Sequence, residues 1–265
     1  MLGLVLEKIT AKPLAQLLNE LIFSKAGMNS THLQTDMSII KGMVPSYRYN
    51  FVKARYDNAE FRHPSTTFAT GGIISNINDL LKWDRVLYTN KLLSQPDRDR
   101  LFDVQQGKAA FGWRNGHMDN KNTQIVWHGG LVTGYRAQIT RVLDKQQVVI
   151  LLTNQRDTNA NGITHEILSI LAGDETTTVK RSLMKEVLWY SAHKGSEAAI
   201  KRFDQIVKNE QDTFDVVDTE LLVAALELKN DGVCVRAKPL FAHWIASYPK
   251  SEYAQYALDG LKGCP

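Results

Sequence analysis

Apolar residues recur with helical spacing at the start of the chain. Residues 1–10 are mostly apolar and predict a helix, although no Ser, Thr, Asp or Asn precedes the run to cap its first turn. From Lys12 to Lys25, leucines and an isoleucine share one helical face, and Gly27 suits the position that closes such a helix. The pattern predicts two N-terminal helices, and the first resembles the interior of a helix more than its beginning.

The pattern of apolar and polar residues changes twice between residues 28 and 171. Residues 28–70 are irregular and rich in aromatics, which predicts a long loop. Gly71-Gly72 predicts a tight turn, Ser75 is the predicted cap of a helix over Leu80 to Leu87, and a short helix is predicted near 95–105. Three strands and a closing helix are predicted at residues 124–127, 135–143, 147–153 and 163–171.

The last third of the chain carries a different pattern, which is helical throughout. It follows the best linker in the sequence, the polar segment 172–178. The chain is therefore predicted to hold two domains, residues 1–173 and 179–265.

A short internal repeat suggests an architecture for the second domain. Ala199-x3-Phe203 recurs as Ala237-x3-Phe241, with Pro249 following, which is part of the tetratricopeptide pattern. The copies lie 38 residues apart, whereas the tetratricopeptide repeat is about 34 residues long. Pro239 also lies where that helix should be continuous. A tetratricopeptide-like array and a few amphipathic helices packed on each other both fit the sequence.

Composition and charge narrow the classes of function. The 265 residues are 43% hydrophobic and 23% charged with a net charge of +4, and no dense Lys/Arg run is interleaved with aromatics, so no nucleic-acid partner is expected. The longest apolar run, Val148–Leu152, is far too short to span a membrane. The seven histidines show no metal-ligand spacing, and we predict no metal and no cofactor. Cys234 and Cys264 fit either one disulfide bridge or two free thiols.

The sharpest local signal is the string Trp127-His128-Gly129-Gly130-Leu131-Val132-Thr133-Gly134-Tyr135 beside a predicted strand. Glycines let another molecule approach the backbone closely, and a strand edge offers N–H and C=O groups to an extended or acyl substrate. A histidine can donate a hydrogen bond or move a proton near neutral pH. Taken alone, a turn histidine beside two glycines is more often structural than catalytic.

The neighbouring strings change that interpretation. The His-Gly-Gly string resembles the third motif of the serine β-lactamase, penicillin-binding protein and esterase superfamily, which is Lys-Thr-Gly in many members and His-x-Gly in others. Other segments match the same family in the same order, including its Gly-Gly-x-x-Ser…Asp-Leu-x-x-Trp segment. These segments are residues 2–8 with 27–31, 69–83, 111–113 and 136–154. The resemblance covers residues 1 to about 173.

The resemblance implies a mixed α/β (α+β) fold of the β-lactamase/transpeptidase type, an antiparallel sheet flanked by helices, with a small all-α C-terminal domain. It gives His128 the place of the motif's lysine, beside the proton network of a nucleophile or a substrate carboxylate. Gly129 and Gly130 would keep the strand edge open to a small-molecule or peptide acyl substrate, and the Leu131 N–H would be one oxyanion-hole donor. By family analogy, the location is periplasmic or extracytoplasmic.

The family's nucleophile, in Ser-x-x-Lys, and its second motif, Tyr-x-Asn, are expected upstream of residue 1, because residues 1–8 match the helix after Tyr-x-Asn. Ser38-Ile39-Ile40-Lys41 and Tyr56-Asp57-Asn58 are in the right order, but only 18 positions separate Ser38 from Tyr56, so we interpret them as accidental. Ser182-Leu183-Met184-Lys185 lies beyond the third motif and predicts surface helix.

The sequence therefore predicts the C-terminal portion of a serine hydrolase that acts on an ester, amide or β-lactam, inactive as this chain. The alternative is a non-catalytic remnant that binds a protein or peptide through its strand edge and helical tail. Residues 147–153 would leave an apolar strand edge without a neighbour. We expect that edge to pair with a second copy of the chain or with a complementing N-terminal fragment.

Overall fold

The computed structural model describes residues 1–264 except 52, 54, 105, 106, 108, 119–122, 157 and 176–178. It divides into two compact units. The first unit comprises Met1–Arg48 and Asn58–Glu175, and the second comprises Tyr49–Asp57 and Thr176–Pro265. The segment Tyr49–Asp57 thus groups with the second unit, although the sequence placed it inside the first domain.

The described residues form α-helical segments and strands along the whole chain. The helices are Leu2–Thr10 (α1), Leu14–Leu18 (α2), Ser24–Ala26 (α3), Phe68–Gly71 (α4), Ile77–Val86 (α5), Gln95–Arg100 (α6), Ala160–Leu171 (α7), Leu183–Lys194 (α8), Ser196–Asn209 (α9), Glu220–Asn230 (α10), Cys234–Ser247 (α11) and Ala254–Lys262 (α12). The strands are His32–Leu33 (β1), Tyr47–Asn50 (β2), Arg55–Asn58 (β3), Ile73–Ile74 (β4), Arg114–His117 (β5), Gln124–Val132 (β6), Tyr135–Val142 (β7), Gln147–Thr153 (β8), Arg181–Ser182 (β9) and Phe214–Asp215 (β10). No helix in these described ranges is long and apolar enough to cross a membrane.

The two predicted N-terminal helices are confirmed. The second runs from α2 through a π-helical turn at Asn19–Phe23 into α3, and Gly27 ends it with a left-handed φ of 71°. The predicted cap of α5 is wrong by one residue. Asn76, not Ser75, caps that helix, because the Asn76 side chain accepts a hydrogen bond from the Asp79 N–H.

The centre of the first unit is an antiparallel sheet in the order β5-β6-β7-β8. Met118, Val142, Val149 and Leu168 form an apolar cluster between one sheet face and α7. Leu87, Trp113 and Val126 form a second cluster on the α5 side. The predicted antiparallel sheet flanked by helices is therefore confirmed, and β6 runs five residues further than predicted because it includes the His-Gly-Gly string.

The outer side of β8 has no partner strand in the part of the chain that the structure describes. This is the edge for which the sequence predicted a second copy or a complementing fragment. Six of its seven residues are partly exposed and Val149 alone is buried. Pairing at this edge stays a prediction.

A buried carboxylate fixes the start of α5 against the loop before β1. Asp79 accepts hydrogen bonds from the Ser30 N–H (2.7 Å), the Thr31 hydroxyl (2.9 Å) and the Lys82 ammonium (2.8 Å). Desolvation acts to raise the pKa of Asp79, but these hydrogen bonds outweigh it, so the pKa lies below its ordinary value. The charged form is therefore favoured in the folded state.

Asp79→Asn is expected to destabilise the first unit by about 1–3 kcal/mol at pH 7, because it weakens the charge-assisted hydrogen bonds of a buried carboxylate. The folded-state pKa is depressed, so the stabilisation is present above the unfolded pKa of about 3.9 and is lost as pH falls through the folded value. Urea unfolding at pH 7 and near pH 2 should show a difference that shrinks in acid. Asp99→Asn, at an exposed position on α6, is the control. A loss of equal size at both pH values would contradict the argument.

The second unit is built from two pairs of contacting helices and a last helix. α8 contacts α9, α10 contacts α11, and α12 packs on α11. The two predicted Ala-x3-Phe copies lie in α9 and α11, the second helix of each pair, and all four side chains are buried. α11 remains continuous although Pro239 lies inside it. The tetratricopeptide-like assignment stays a prediction.

The structure adds two features of this unit that the sequence did not decide. β9 and β10 form a two-residue parallel pair within what the sequence presents as all helix. Cys234 and Cys264 form a disulfide with a Cα–Cα distance of 5.3 Å, which selects one of the two states that the sequence left open.

Candidate functional site

The candidate site is the open side of β6 beyond the end of β5. β5 pairs with β6 from Gln124 to Trp127, whereas β7 pairs with β6 from Ile125 to Val132. In the described part of the chain, no strand pairs with residues 128–132 on the β5 side. The predicted site residues His128, Gly129, Gly130 and Leu131 therefore lie together on one exposed strand edge. The structure does not test their roles.

Hydrogen-bond alternation decides which backbone groups face this edge. The Met118 N–H donates to the Thr123 carbonyl (3.1 Å) at the other end of the β5–β6 pair. Because bonding alternates along an antiparallel pair, residues 125, 127, 129 and 131 turn their N–H and C=O groups toward the β5 side. Gly129 and Leu131 thus present unpaired backbone groups at the open edge, and the Leu131 N–H was the predicted oxyanion-hole donor.

A tight turn and a side-chain hydrogen bond fix the end of this edge. Thr133 and Gly134 have φ values of 44° and 85°, as a two-residue hairpin turn between β6 and β7 requires. A Cβ on Gly134 would lie 2.6 Å from the Ala59 Cβ, so glycine is needed there for close approach as well. The Ser46 hydroxyl donates to the Thr133 carbonyl at 2.6 Å. The hairpin tip is therefore fixed by the segment that precedes β2.

The first residue after the turn adds a second anchor to the same segment. The Tyr135 hydroxyl donates to the Val44 carbonyl at 2.6 Å. Burial raises the pKa of Tyr135, and a hydrogen bond with Ser46 opposes that effect in part. Tyr135 is therefore a neutral donor at physiological pH that secures the turn.

His128 lies on the sheet face opposite α7. Side chains alternate along a strand, so His128 shares a face with the buried Val126. Its imidazole is exposed and lies at the wall of a cavity of about 320 Å³. The other residues of that wall are apolar side chains and one glycine: Trp83, Leu87, Leu93, Leu101, Phe111, Gly112, Trp113 and Ile139. An imidazole in this place can donate or accept a hydrogen bond, and the described part of the cavity wall places no nucleophilic side chain beside it.

The two glycines have different surroundings. A Cβ on Gly129 would meet the Gln138 side-chain oxygen at 2.8 Å, whereas a Cβ on Gly130 would meet nothing closer than the Ala137 Cβ at 4.0 Å. Because Gly129 has no side chain, the Gln138 side chain of β7 can lie over Gly129. Gly130 leaves open space next to His128.

Sequence reasoning missed one neighbour of this edge. A Cβ on Gly71, the last residue of α4, would lie 3.1 Å from the Val132 side chain, so α4 closely approaches the end of β6. The sequence predicted a turn at Gly71-Gly72 and a resemblance to the family's Gly-Gly-x-x-Ser segment, but no contact with β6. α4 also contacts α1, and the absence of a side chain at Gly3 of α1 leaves room for the Ala69 side chain of α4. The pair of glycines was a usable signal for close approach, but it did not identify the partner.

The two strings interpreted as accidental, and the Ser182 string predicted to be surface helix, make local contacts. The exposed Ser38 has its N–H bound to the Asp36 carboxylate. Tyr56 packs edge-on against Tyr49 in the second unit. Ser182 caps α8 by accepting a hydrogen bond from the Lys185 N–H. The described residues also contain no group of three or more side chains suited to hold a metal ion.

Comparison with known proteins agrees with the fold of the first unit. The family model described as Beta-lactamase matches residues 1–174. Penicillin-binding protein 4* of Bacillus subtilis (strain 168) is 24% identical over 177 residues, which are 59% of this chain and 38% of that protein. D-aminopeptidase of Brucella anthropi is 22% identical over 192 residues, 71% of this chain and 36% of that protein.

A solved structure shows the same architecture. The octameric penicillin-binding protein homologue from Pyrococcus abyssi superimposes with a TM-score of 0.56 at 19% identity, over 66% of this chain and 41% of that one. This chain belongs to the β-lactamase-related serine hydrolase family. It spans less than two fifths of the length of these two curated relatives.

Proposed function

We propose that the open edge of β6 is the acyl-binding part of a serine hydrolase site, for an ester, amide or β-lactam, and that this chain by itself forms no acyl-enzyme. The observation that carries the proposal is the unpaired edge at Gly129 and Leu131 beside His128. An unpaired N–H on a fixed strand is the donor that a developing oxyanion needs. The disulfide between Cys234 and Cys264 supports an extracytoplasmic location, since such bonds persist in oxidising compartments.

His128 serves binding in this proposal and not attack. A carbonyl placed at the Leu131 N–H lies along the strand from His128, whose imidazole can hydrogen-bond a substrate carboxylate or the proton network of a hydroxyl. Acyl transfer also needs an activated nucleophile within hydrogen-bond reach of its base. Among the described residues that line the cavity at His128, none is a serine, lysine or tyrosine. The geometry supports recognition of an acyl group without its cleavage.

The proposal is tested by titrating benzylpenicillin into the ¹⁵N-labelled chain and following the backbone amides of Gly129 and Leu131. We expect weak binding that shifts these two amides, with no mass increase after incubation with a fluorescent penicillin or a fluorophosphonate. His128→Ala should weaken binding about threefold to tenfold, the effect of losing one hydrogen bond of roughly 0.5–1.5 kcal/mol. His117→Ala, an exposed histidine on the neighbouring strand, is the matched control and should have no effect.

Two outcomes would overturn this proposal. Amide shifts confined to residues away from β6 would show that the open edge does not bind acyl compounds. A covalent adduct that maps to Ser38 would show that the chain holds its own nucleophile, and that the interpretation of Ser38-Ile39-Ile40-Lys41 as accidental is wrong.

A further inference from the structure

The cavity beside His128 presents apolar walls next to the open edge of β6. His128 pairs with Ile139 of β7, so the two side chains stand side by side on the α5 side of the sheet, and both line the cavity. Trp83 of α5 and Leu87, which follows α5, line it as well. The imidazole therefore contributes a polar group to a wall that is otherwise apolar in the described part of the chain.

A bare stretch of strand connects this cavity with the Leu131 N–H. Gly130 lies between Leu131 and His128 and shares its face with His128, since side chains alternate along a strand. A Cβ on Gly130 would meet nothing closer than the Ala137 Cβ at 4.0 Å. Three positions along a strand correspond to about 10 Å. A ligand on this face can therefore reach from the Leu131 N–H into the cavity without displacing a side chain of β6.

The volume and the lining decide what the cavity accepts. Its volume is about 320 Å³, whereas an apolar cavity of about 150 Å³ is large enough to bind benzene. The described lining contains no carboxylate, ammonium or guanidinium group. A charged group that entered it would lose its hydration without gaining an ion partner. The cavity is therefore suited to one aromatic ring or one large aliphatic group, with the His128 imidazole available for a neighbouring polar group.

We propose that this cavity selects the residue on the carboxy-terminal side of the bound acyl group, and that this residue is an amino acid with an aromatic or large aliphatic side chain. The inference rests on the proposed acyl site at β6. With the acyl carbonyl at the Leu131 N–H, the next residue extends over Gly130 toward His128. The imidazole hydrogen-bonds the terminal carboxylate of that residue, and its side chain enters the cavity. The substrate class thereby narrows to N-acylated apolar amino acids, including the carboxy-terminal residues of peptides.

Two peptide ligands that differ in one side chain test this assignment. N-acetylglycylphenylalanine and N-acetylglycylalanine share the acyl group and the carboxylate, and the second lacks the ring. Each is used with its last residue in the L and the D form, and the tighter-binding forms are compared. In the ¹⁵N-labelled chain, the amides of Gly129 and Leu131 report the edge and the indole N–H of Trp83 reports the cavity. We expect the phenylalanine ligand to bind about tenfold more tightly and to shift all three signals, because its ring leaves water.

The two sets of signals separate this inference from the proposal on which it rests. Equal affinities of the two ligands, with the edge amides shifted, would overturn the cavity assignment and leave the acyl edge intact. A tighter phenylalanine ligand that leaves the Trp83 indole signal unmoved would place the ring elsewhere and would also overturn it. If neither ligand shifts the edge amides, the acyl edge itself is rejected and this inference is rejected with it.

Substitutions at two exposed phenylalanines provide a matched pair of variants. Phe111 lines the cavity with 51% of its surface exposed, whereas Phe61 lies outside the cavity lining and is 68% exposed, so the fold should tolerate alanine at either position. Phe111→Ala should reduce the preference for the phenylalanine ligand about threefold, because part of the apolar wall is lost. Phe61→Ala should leave the preference unchanged. Thermal unfolding establishes that each variant is folded, and a folded Phe111→Ala variant that keeps the full preference would refute the assignment.

Discussion

Replacing Arg141 by alanine is expected to destabilise the first unit by about 3–5 kcal/mol, the usual cost of removing one partner of a buried ion pair. The Arg141 guanidinium on β7 donates to the Asp84 carboxylate of α5 at 2.6 Å, and both side chains are almost fully buried. Without the arginine, the carboxylate is left in the apolar interior, and among the described residues the remaining cation within 4 Å is Arg85, at 3.6 Å. A buried charge without its partner accounts for most of the loss.

The surroundings of Arg141 make a substitute partner difficult to recruit. The guanidinium carbon lies 4.7 Å from the Tyr88 ring, 5.4 Å from the Phe102 ring and 5.5 Å from the Trp113 ring. These rings exclude water from the pair and add cation–π attraction. The same rings would close imperfectly over the space that an alanine leaves.

Amide hydrogen exchange measures this effect in one unit at a time. Arg141→Ala should reduce protection of residues 124–142 while residues 220–247 of the second unit serve as the internal reference. Arg85→Ala removes a half-exposed cation near the same carboxylate and should cost about 1 kcal/mol or less. Asp84→Leu combined with Arg141→Met should recover much of the loss, because the unpaired charge is gone. A double variant no more stable than Arg141→Ala would assign the effect to packing and not to charge.

The elements that the sequence predicted well are those with local signals. Apolar-rich runs located β7 and β8, and the His-Gly-Gly string located the exposed edge of β6. The predicted length of β6 was too short because two consecutive glycines usually indicate that a strand ends. The cap of α5 was misplaced since Ser75 and Asn76 are both suitable caps, and only the extended backbone of Asn76 chooses between them.

The contacts that could not be predicted from the sequence join residues that are far apart along the chain and belong to no recognisable motif. Asp84 and Arg141 are 57 positions apart, and nothing in their neighbourhoods marks either as buried. Gly71 and Val132 meet only because α4 is placed beside the end of β6. Such pairs depend on the order of the strands and on how the helices pack against the sheet. The periodicity of apolar residues along the chain predicts neither. The sequence could therefore locate the candidate site but not what supports it.

The disulfide gives the second large expected effect, in the second unit. Changing both Cys234 and Cys264 to alanine should destabilise that unit by about 3–4 kcal/mol, because the bridge closes a loop of about 30 residues and restricts the unfolded chain. The bridge joins the first residue of α11 to the end of the chain, just beyond α12. α12 rests on α11 where Gly260 lies against the Phe241 ring, and a Cβ there would be 2.7 Å from that ring. Loss of the bridge should therefore loosen α12 first.

Urea unfolding followed by circular dichroism, with hydrogen exchange of residues 254–262, measures this loss. A reductant should destabilise the original chain by the same amount and leave the stability of the double-alanine variant unchanged. Because that variant has no disulfide, it reports any effect of the reductant on the rest of the protein. The expected order of exchange is α12 before α10, because the nine-residue α12 is the last helix of the unit and α10 lies deeper in its core. Two thiols that react with iodoacetamide in the denatured, unreduced chain would contradict the bridge and favour the free-thiol alternative.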